Sequence, residues 1–325
     1  MNTMIGEPYD EDSFAFSTAV LSDVFVEMPH LKAAKRQVQR LIRTGTGGHE
    51  RKAMLILGPT GIGKTMLLNH IFGIEKYRAF RTPEGLVSPV IRIDARPNST
   101  TKGIAELLLQ ELGDNRPSRG TEHDMILRVI KLLHKEKTQL IIIDEAQCLV
   151  SRAYAASDLL KHLLNQASCP ILLVGLESTE QLRTSNRQFR DRCLPTIRLP
   201  AFDYTDKTQR AQWRGLLKKL QSEVKELEDA VDLSQRAVAA ALNFGARGLL
   251  RELRQLIEEA IDIAVEGGTK VSIEELAEAF ERRRSDESRD MVNPFREELP
   301  EMWKPAELSE GTDKTKAKRR TALAA

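Results

Sequence analysis

The sequence lacks the marks of a membrane or secreted protein. No apolar run in its 325 residues approaches the roughly 20 residues that a membrane-spanning helix needs. The N-terminal stretch MNTMIGEPYDEDSFAFS has no basic region followed by an apolar core, so it does not predict a secretory signal. Cys148, Cys169 and Cys193 are odd in number and widely spaced, which fits neither a disulfide framework nor a zinc site. We therefore expect a cytoplasmic protein with reduced core thiols.

The chain also lacks a strong net charge. Its formal charge is only +2, so no overall field attracts nucleic acid or membranes, and any such binding needs a local patch. The charge is nevertheless unevenly distributed. Residues 1–30 carry six acidic side chains and no Lys or Arg, whereas the C-terminal stretch KTKAKRRTALAA is basic and has no apolar periodicity. We predict an acidic N-terminal extension (1–30) and a flexible basic tail (285–325).

Between these ends, the pattern predicts an α/β domain (31–203) and a small all-α lid domain (204–284). In the first, helical patterns separate five short apolar runs, which are AMLILG (53–58), PVIRIDA (89–95), QLIIIDEA (139–146), CPILLVGL (169–176) and LPTIRLPAF (194–202). Such runs predict a parallel five-stranded sheet with helices on both faces, an αβα sandwich. In the second, helical periodicity is broken at NFGARG and at EGGTKVS.

The segment GPTGIGKT (58–65) matches the P-loop pattern G-x-x-x-x-G-K-[ST] directly after a predicted strand and before a helix. Glycines let such a loop turn tightly so that its N–H groups cradle phosphate, while Lys64 reaches the β- and γ-phosphates and Thr65 holds Mg²⁺. A chance glycine-rich turn is the alternative, which the flanking strand and helix disfavour. The pattern predicts that ATP and Mg²⁺ are bound by Gly58, Pro59, Thr60, Gly61, Ile62, Gly63, Lys64, Thr65 and Met66.

The segment LIIIDEAQ (140–147) predicts the acidic half of the same site. A buried strand ending in Asp144 would place a carboxylate beside the loop to help hold Mg²⁺ through water, and Glu145 is the candidate base that orients the attacking water. The alternative is that both acids only cap the next helix. Gln147 could contact the γ-phosphate or only the helix start. After the fourth strand, the segment VGLESTE offers Glu177, Ser178 and Thr179, of which Ser178 is the candidate γ-phosphate sensor, with an ordinary helix N-cap as the alternative.

Arginines are concentrated in NRQFRDRCLPTIRLP (186–200), just before the fifth strand. ATPases with this layout often complete the site with an arginine from the adjacent subunit, which stabilises the charge of the transition state. The letters DRC resemble the SRC of clamp-loader ATPases, so Arg192 is the first candidate, with Arg190 and Arg187 as alternates or partners. A solvated basic helix end is the other interpretation. In GLLRELRQLIEEA, which resembles the sensor-2 helix of AAA+ proteins, Arg251 would reach the nucleotide, with Arg247 as alternate.

Together these segments resemble AAA+ ATPases, and most specifically the TniB/TnsC-type transposition ATPases, which are also similar to MuB and ExeA-like proteins. The resemblance covers roughly residues 25–265, and the segment DARPNSTTK after the second strand narrows the choice. The sequence departs from the family pattern in two places. Gln147 stands in the position that is His in the DE-x-H pattern of many TniB proteins. The letters DRC stand where those proteins often show SRF.

The resemblance implies an ATPase that forms rings or helical filaments on double-stranded DNA without sequence preference. It further implies that the protein links a TniQ-like target selector to a DDE transposase. The DNA-contacting residues would be Thr100, Thr101, Lys102, Arg119 and Thr121, at two helix starts where N–H groups and basic side chains suit phosphates. The alternative is that these threonines are ordinary N-caps.

Two other functions remain open from the sequence. The first is a replication initiator or helicase loader of the AAA+ type, although residues 285–325 are too short and polar to form a winged helix. The second is a signalling ATPase whose partner is protein alone.

Overall fold

The computed structural model describes residues 28–46, 50–167, 169–283 and 292–299. Most of the acidic N-terminal extension and all of the basic stretch KTKAKRRTALAA lie outside the described residues. The chain divides into two compact units, of which one is Pro29–Pro200 and the other includes Ala201–Ala325. Among the described residues, every helix is too short or too polar to span a membrane.

The unit Pro29–Pro200 alternates strands and helices. Its strands are β1 (Ala53–Leu57), β2 (Phe80–Thr82), β3 (Gly85–Val87), β4 (Val90–Asp94), β5 (Leu140–Asp144), β6 (Ile171–Gly175) and β7 (Ile197–Arg198). Its α-helices are α1 (Pro29–Thr46), α2 (Lys64–Phe72), α3 (Thr101–Glu111), α4 (Glu122–Lys135), α5 (Ala153–Gln166), α6 (Glu180–Ser185) and α7 (Arg187–Arg190). Short 3₁₀ helices lie at Glu75–Tyr77, Ala146–Arg152 and Glu177–Thr179.

Five strands form one parallel sheet in the order β4-β5-β6-β1-β7. Every residue of β1, β5 and β6 is buried, as expected for central strands that helices cover on both faces. One core beneath the sheet joins Leu55, Ile141 and Leu173 to Leu108 of α3 and Leu160 of α5. The predicted parallel αβα sandwich is therefore confirmed. The carboxyl ends of β1, β5 and β6 lie at one edge, where the P-loop and the acidic pair follow.

The sheet differs from the sequence prediction in two details. The fifth strand was expected over residues 194–202, but only Ile197–Arg198 pairs with β1. Pro195 and Pro200 flank these two residues, and a proline cannot donate a ladder hydrogen bond. The antiparallel hairpin β2–β3 was not predicted, because strands of three residues carry too little alternation to detect.

The other unit is helical over α8 (Lys207–Glu223), α9 (Arg236–Gly245), α10 (Leu250–Gly267) and α11 (Ile273–Arg282), with a 3₁₀ turn at Lys225–Leu227. Trp213 is fully buried and donates its indole N–H to the Ala239 carbonyl at 3.0 Å. The predicted breaks both occur. Gly248 has a φ of 69°, and α10 ends at Gly267, followed by the capping residue Gly268, whose φ is 61°. This unit is the predicted all-α lid.

The cysteines behave as core thiols. Cys169 is fully buried, and burial raises its pKa and that of Cys193 to about 12. Burial also raises the pKa of the Cys148 thiol, and none of the three forms a disulfide. Thiols with such pKa values are protonated and unreactive at neutral pH.

Candidate nucleotide-binding site

The P-loop forms a tight turn between β1 and α2. Gly61 and Gly63 have φ angles of 82° and 93°, in the left-handed region where a side chain costs about 1–2 kcal/mol. A Cβ atom on Gly58 would lie 2.4 Å from the Leu199 carbonyl oxygen, so the loop needs glycine to pass this close to the backbone after β7. Gly63 has no side chain to cap α2, which leaves the first N–H groups of that helix for a bound anion.

Lys64 lies folded against the loop that precedes it. Its side chain is largely buried, and Nζ donates hydrogen bonds to the carbonyl oxygens of Gly58 at 2.8 Å and Pro59 at 2.9 Å. Thr65 beside it is exposed, as are Pro59 and Thr60 of the loop. Among the other predicted nucleotide contacts, Ile62 is buried and Met66 is half-buried. The loop thus carries one ammonium group and one hydroxyl next to the helix N-terminus, which suits a polyphosphate.

Asp144 ends β5 with a buried carboxylate that two donors hold. Oδ1 accepts from the Glu145 backbone N–H at 2.9 Å, and Oδ2 accepts from Arg92 Nη2 at 2.7 Å. The Asp144 side chain is only 4% exposed, so its charge requires such partners. The sequence did not single out Arg92, because its proximity to Asp144 depends on the register between β4 and β5.

Glu145 has an unusual backbone for a residue other than glycine. Its φ is 51° and its ψ is 34°, a left-handed conformation that concentrates at functional sites. The side chain is exposed, and its Oε2 accepts a hydrogen bond from Gln147 Nε2. The strained backbone turns the chain directly after the buried strand, so the carboxylate of Glu145 is accessible where that of Asp144 is not.

Gln147 connects the acidic pair to the end of β6. Its Oε1 accepts from the Leu176 N–H at 3.2 Å, while its Nε2 donates to Glu145. Gly175 makes this approach possible, since a Cβ there would lie 2.6 Å from Gln147 Oε1. Gly175 also accepts a hydrogen bond from the Gly58 N–H at 3.2 Å. Gly175 is therefore where the P-loop, the Gln147 amide and the end of β6 meet.

Two hydroxyl side chains follow β6, and they differ in burial. Ser178 is exposed in the turn Glu177–Thr179, whereas Thr179 is fully buried. Within the described chain, Thr179 Oγ1 makes no hydrogen bond, and a Cβ on Gly175 would lie 2.4 Å from it. Ser178 stays a prediction as the γ-phosphate sensor. Thr179 is a second hydroxyl beside the same strand end, and its burial could not be read from the sequence.

The oxygen groups at this site fit a magnesium ion that a nucleotide brings with it. The Thr65 hydroxyl and the Asp144 carboxylate are hard oxygen donors, which Mg²⁺ prefers together with phosphate oxygens. The described residues contain no cluster of three or more His, Cys, Asp or Glu side chains that could hold a metal unaided. An ion here would therefore depend on phosphate ligands.

The arginine segment lies on α7 and the turn after it. Arg192 Nε pairs with Glu50 Oε1 at 2.8 Å, and its carbonyl accepts from the Ala53 N–H. Arg187 and Arg190 are exposed, Arg190 lying 3.9 Å from the Asp191 carboxylate. Exposure suits a residue that acts on a neighbouring subunit, and in this respect Arg187 and Arg190 are less constrained than Arg192. All three stay predictions.

The predicted sensor-2 arginine lies in the helical unit. Arg251 is exposed in the first turn of α10, and Arg247, its alternate, has a φ of 52° in the turn before that helix. The role of either residue toward a nucleotide stays a prediction.

The predicted DNA-contacting residues occupy the starts of α3 and α4. Thr100 caps α3 by accepting from the Gly103 N–H at 3.0 Å, Thr101 is half-buried and Lys102 is exposed. At α4, Thr121 forms a capping box with Asp124, whose pKa is lowered by the hydrogen bond from the Thr121 side chain. A carboxylate thus already occupies the start of α4, which favours α3 as the phosphate contact.

Arg128 shapes the loop that joins α3 to α4. Its guanidinium binds both carboxylate oxygens of Asp114 at 3.0 Å, the Arg116 carbonyl at 3.1 Å and the Arg119 carbonyl. These bonds hold the loop so that Arg116 and Arg119 are exposed. The sequence prediction included Arg119 and omitted Arg128. The role of Arg128 depends on how the loop folds back onto α4, which the sequence pattern does not show.

Comparison with known proteins identifies the family. The model of the family described as Bacterial TniB protein matches residues 18–204. The chain belongs to the TniB family. A search of curated proteins gave no match.

Solved structures confirm the AAA+ fold of this TniB-family chain. It is similar to the Aeropyrum pernix ORC1 protein in complex with DNA, with a TM-score of 0.60 and 20% identity over 82% of this chain and 69% of that one. It is also similar to the Aeropyrum pernix ORC2 protein, with a TM-score of 0.60 and 17% identity over 84% and 73% of the two chains. Drosophila ORC bound to DNA matches with a TM-score of 0.55 and 14% identity over 89% and 71%. At these identities the likeness shows the fold alone.

Proposed function

We propose that this TniB-family protein is an ATPase that assembles on double-stranded DNA when it binds ATP and Mg²⁺, and that it regulates DNA transposition. The observation that carries the proposal is the pairing of the P-loop with the strained Glu145 at the end of β5, in a chain of the TniB family. An exposed carboxylate on a left-handed backbone directly after the strand that ends in Asp144 supports hydrolysis, because strained residues cluster at active sites.

The hydrolytic step follows from the chemistry of the side chains. The P-loop N–H groups and Lys64 would hold the phosphates, and Thr65 with Asp144 would help hold a Mg²⁺ ion, which would neutralise charge on the phosphates. Glu145 orients the attacking water and accepts its proton. Gln147, bonded to Glu145 and to the end of β6, positions that carboxylate and senses whether the γ-phosphate is present.

Assembly supplies the remaining charge. In this proposal an arginine of the 187–192 segment reaches the γ-phosphate bound by a neighbouring subunit, so hydrolysis requires a ring or filament. Arg192 is the first candidate. Its ion pair with Glu50 has an exposed acidic partner, which is a weak restraint that a neighbouring phosphate could replace.

DNA binding follows from repetition of one weak contact. Thr100, Thr101 and Lys102 at the start of α3, together with Arg119, would contact phosphates and not bases, so binding ignores sequence. Thr121 is the weakest of the predicted contacts, because its hydroxyl is bonded to Asp124. A chain of net charge +2 neutralises few phosphates alone, but an assembly multiplies the contacts along the duplex. ATP-dependent assembly therefore explains how a nearly neutral protein could hold DNA.

The TniB family is the basis for the transposition role. We propose a cytoplasmic protein that joins a TniQ-like target selector to a DDE transposase, with ATP hydrolysis acting as a timer for disassembly. A replication initiator or helicase loader is the second candidate, favoured by the likeness to ORC structures, which rests on the fold alone. A signalling ATPase with protein partners only is the third.

The test is the binding of random-sequence duplex DNA measured by fluorescence anisotropy with ATP, with ADP and without nucleotide. The proposal expects tight binding with ATP only. Lys64→Ala should abolish the ATP effect, because the phosphates lose their cation. DNA binding that is equal in all three conditions would overturn the proposed role of ATP, and DNA binding that is absent in all of them would favour the protein-only alternative.

A further inference from the structure

Arg92 connects three elements of the nucleotide site. It lies on β4 and donates from Nη2 to Asp144 Oδ2 at 2.7 Å, while Nη1 donates to Asn69 Oδ1 of α2 at 2.8 Å. Its Nε lies 3.9 Å from Asp94 Oδ1 on its own strand. One guanidinium thus joins the P-loop helix to the carboxylate that the motif assigns to Mg²⁺.

The pairing matches the needs of a buried charge. The Asp144 side chain is 4% exposed and that of Arg92 is 30% exposed. An ionised carboxylate at such a position is strongly destabilised unless a cation or several donors compensate it. Arg92 is the cation that pairs with Asp144 in the described structure, and the Glu145 N–H on the other oxygen is only a neutral donor.

A bound Mg²⁺ would compete with this ion pair. Asp144 Oδ2 already accepts a charge-assisted hydrogen bond, and a divalent cation near a guanidinium experiences repulsion between like charges. Asp94 offers the guanidinium a second partner, because its carboxylate is 74% exposed and lies 3.9 Å away. Arg92 can therefore remain paired when Asp144 turns to the metal.

We propose that Arg92 is the resident counter-charge of Asp144, and that its transfer to Asp94 sets the Mg²⁺ concentration at which the site binds nucleotide. The inference rests on the proposed function, since it assumes that Mg²⁺ and ATP bind at the P-loop. Arg92 is a positioning residue here, because it acts on the metal site through Asp144 and does not contact substrate.

The test is a Mg²⁺ titration at fixed ATP, read as the melting temperature of the full chain by differential scanning fluorimetry. In Arg92→Gln, the Mg²⁺ midpoint should fall by roughly three- to tenfold, because the competing cation is gone. The melting temperature without Mg²⁺ should also fall, since Asp144 loses its partner. The temperature shift caused by ATP in EDTA should equal that of the parent.

Arg128→Gln is the matched control. The Arg128 side chain is 32% exposed and pairs with an Asp114 side chain that is 14% exposed, so this ion pair is similar to that of Arg92 and Asp144. It joins α4 to the loop before it and does not include a residue of the nucleotide site. The substitution should lower the melting temperature but leave the Mg²⁺ midpoint unchanged. Asp94→Asn should raise the midpoint in the parent and raise it less in an Arg92→Gln background, because Asp94 then acts only through its own charge beside Asp144, its partner in the β4–β5 register.

Two results would overturn the inference. An unchanged midpoint in Arg92→Gln with a lower melting temperature, as in Arg128→Gln, would make Arg92 a structural residue only. A higher midpoint would mean that Arg92 assists metal binding. If Arg92→Gln does not fold, Arg92→Met also removes the charge, and its midpoint should again lie below that of the parent; a midpoint at or above the parent's overturns the inference. A parent without any Mg²⁺- and ATP-dependent stabilisation would instead refute the proposed function.

Discussion

Gly175→Ala tests how the site is assembled at the end of β6. A Cβ there would lie 2.4 Å from Thr179 Oγ1 and 2.6 Å from Gln147 Oε1, distances that real structures do not tolerate. Both side chains must move, and Gln147 then loses its hydrogen bond from the Leu176 N–H and its hold on Glu145. The substitution therefore perturbs the candidate base without touching it.

The magnitude follows from two effects. Overpacking by one methyl group costs about 1–3 kcal/mol in the free energy of unfolding, which corresponds to a fall in melting temperature of roughly 2–12 °C for a unit of this size. A hydrogen bond to a charged group is worth about 1.5–3 kcal/mol, so ATP hydrolysis should fall by about tenfold or more if the bond between Gln147 and Glu145 persists in the transition state.

The assays are thermal unfolding and phosphate release in the presence of DNA. Gly215→Ala is the control, because it lies within α8 with nothing within 4 Å of the added Cβ. Alanine there should raise stability by about 0.5–1 kcal/mol and leave hydrolysis unchanged. If Gly175→Ala melts like the parent and hydrolyses ATP at the parental rate, the bond network through Gln147 does not position Glu145.

Three further predictions concern the chemistry and the assembly. Glu145→Gln should bind ATP but lose hydrolysis, so oligomers on DNA persist; parental phosphate release would exclude Glu145 as the base. A mixture of Arg192→Ala and Lys64→Ala should regain part of the ATPase activity, since mixed interfaces pair an intact arginine with an intact P-loop. If folded, co-assembling variants show no recovery at any ratio, Arg192 does not act across the interface. Lys102→Ala with Arg119→Ala should weaken DNA binding at every sequence and lower the salt slope by up to about one for each phosphate that is no longer neutralised; parental binding at about 150 mM salt would exclude this surface.

The parts of the fold that sequence predicts well are those in which a local rule decides. Strands β1, β5 and β6 are apolar at nearly every position because both faces are covered, and that pattern is unambiguous between helices. The glycines at 61 and 63 are required by left-handed backbone angles, so the P-loop pattern carries its own geometry.

The interactions that sequence did not predict are set by strand register and tertiary packing. The register of β4 and β5 pairs Asp94 with Asp144 and Arg92 with Ile142, so Arg92 lies diagonally across from Asp144 and its long side chain reaches the carboxylate. Gln147 meets Leu176 only because β5 and β6 are neighbours in the sheet. The choice between Ser178 and Thr179 depends on one 3₁₀ turn whose start the sequence does not specify.

In the proposed function, ATP drives assembly of this TniB-family chain on duplex DNA. Electron microscopy of the purified protein with random-sequence duplex and a slowly hydrolysed ATP analogue tests it most directly. We expect rings or filaments that enclose or follow the DNA with the analogue, and dispersed protein with ADP or with Lys64→Ala. Isolated particles on bare DNA under every nucleotide condition, from protein shown to bind the analogue, would contradict it.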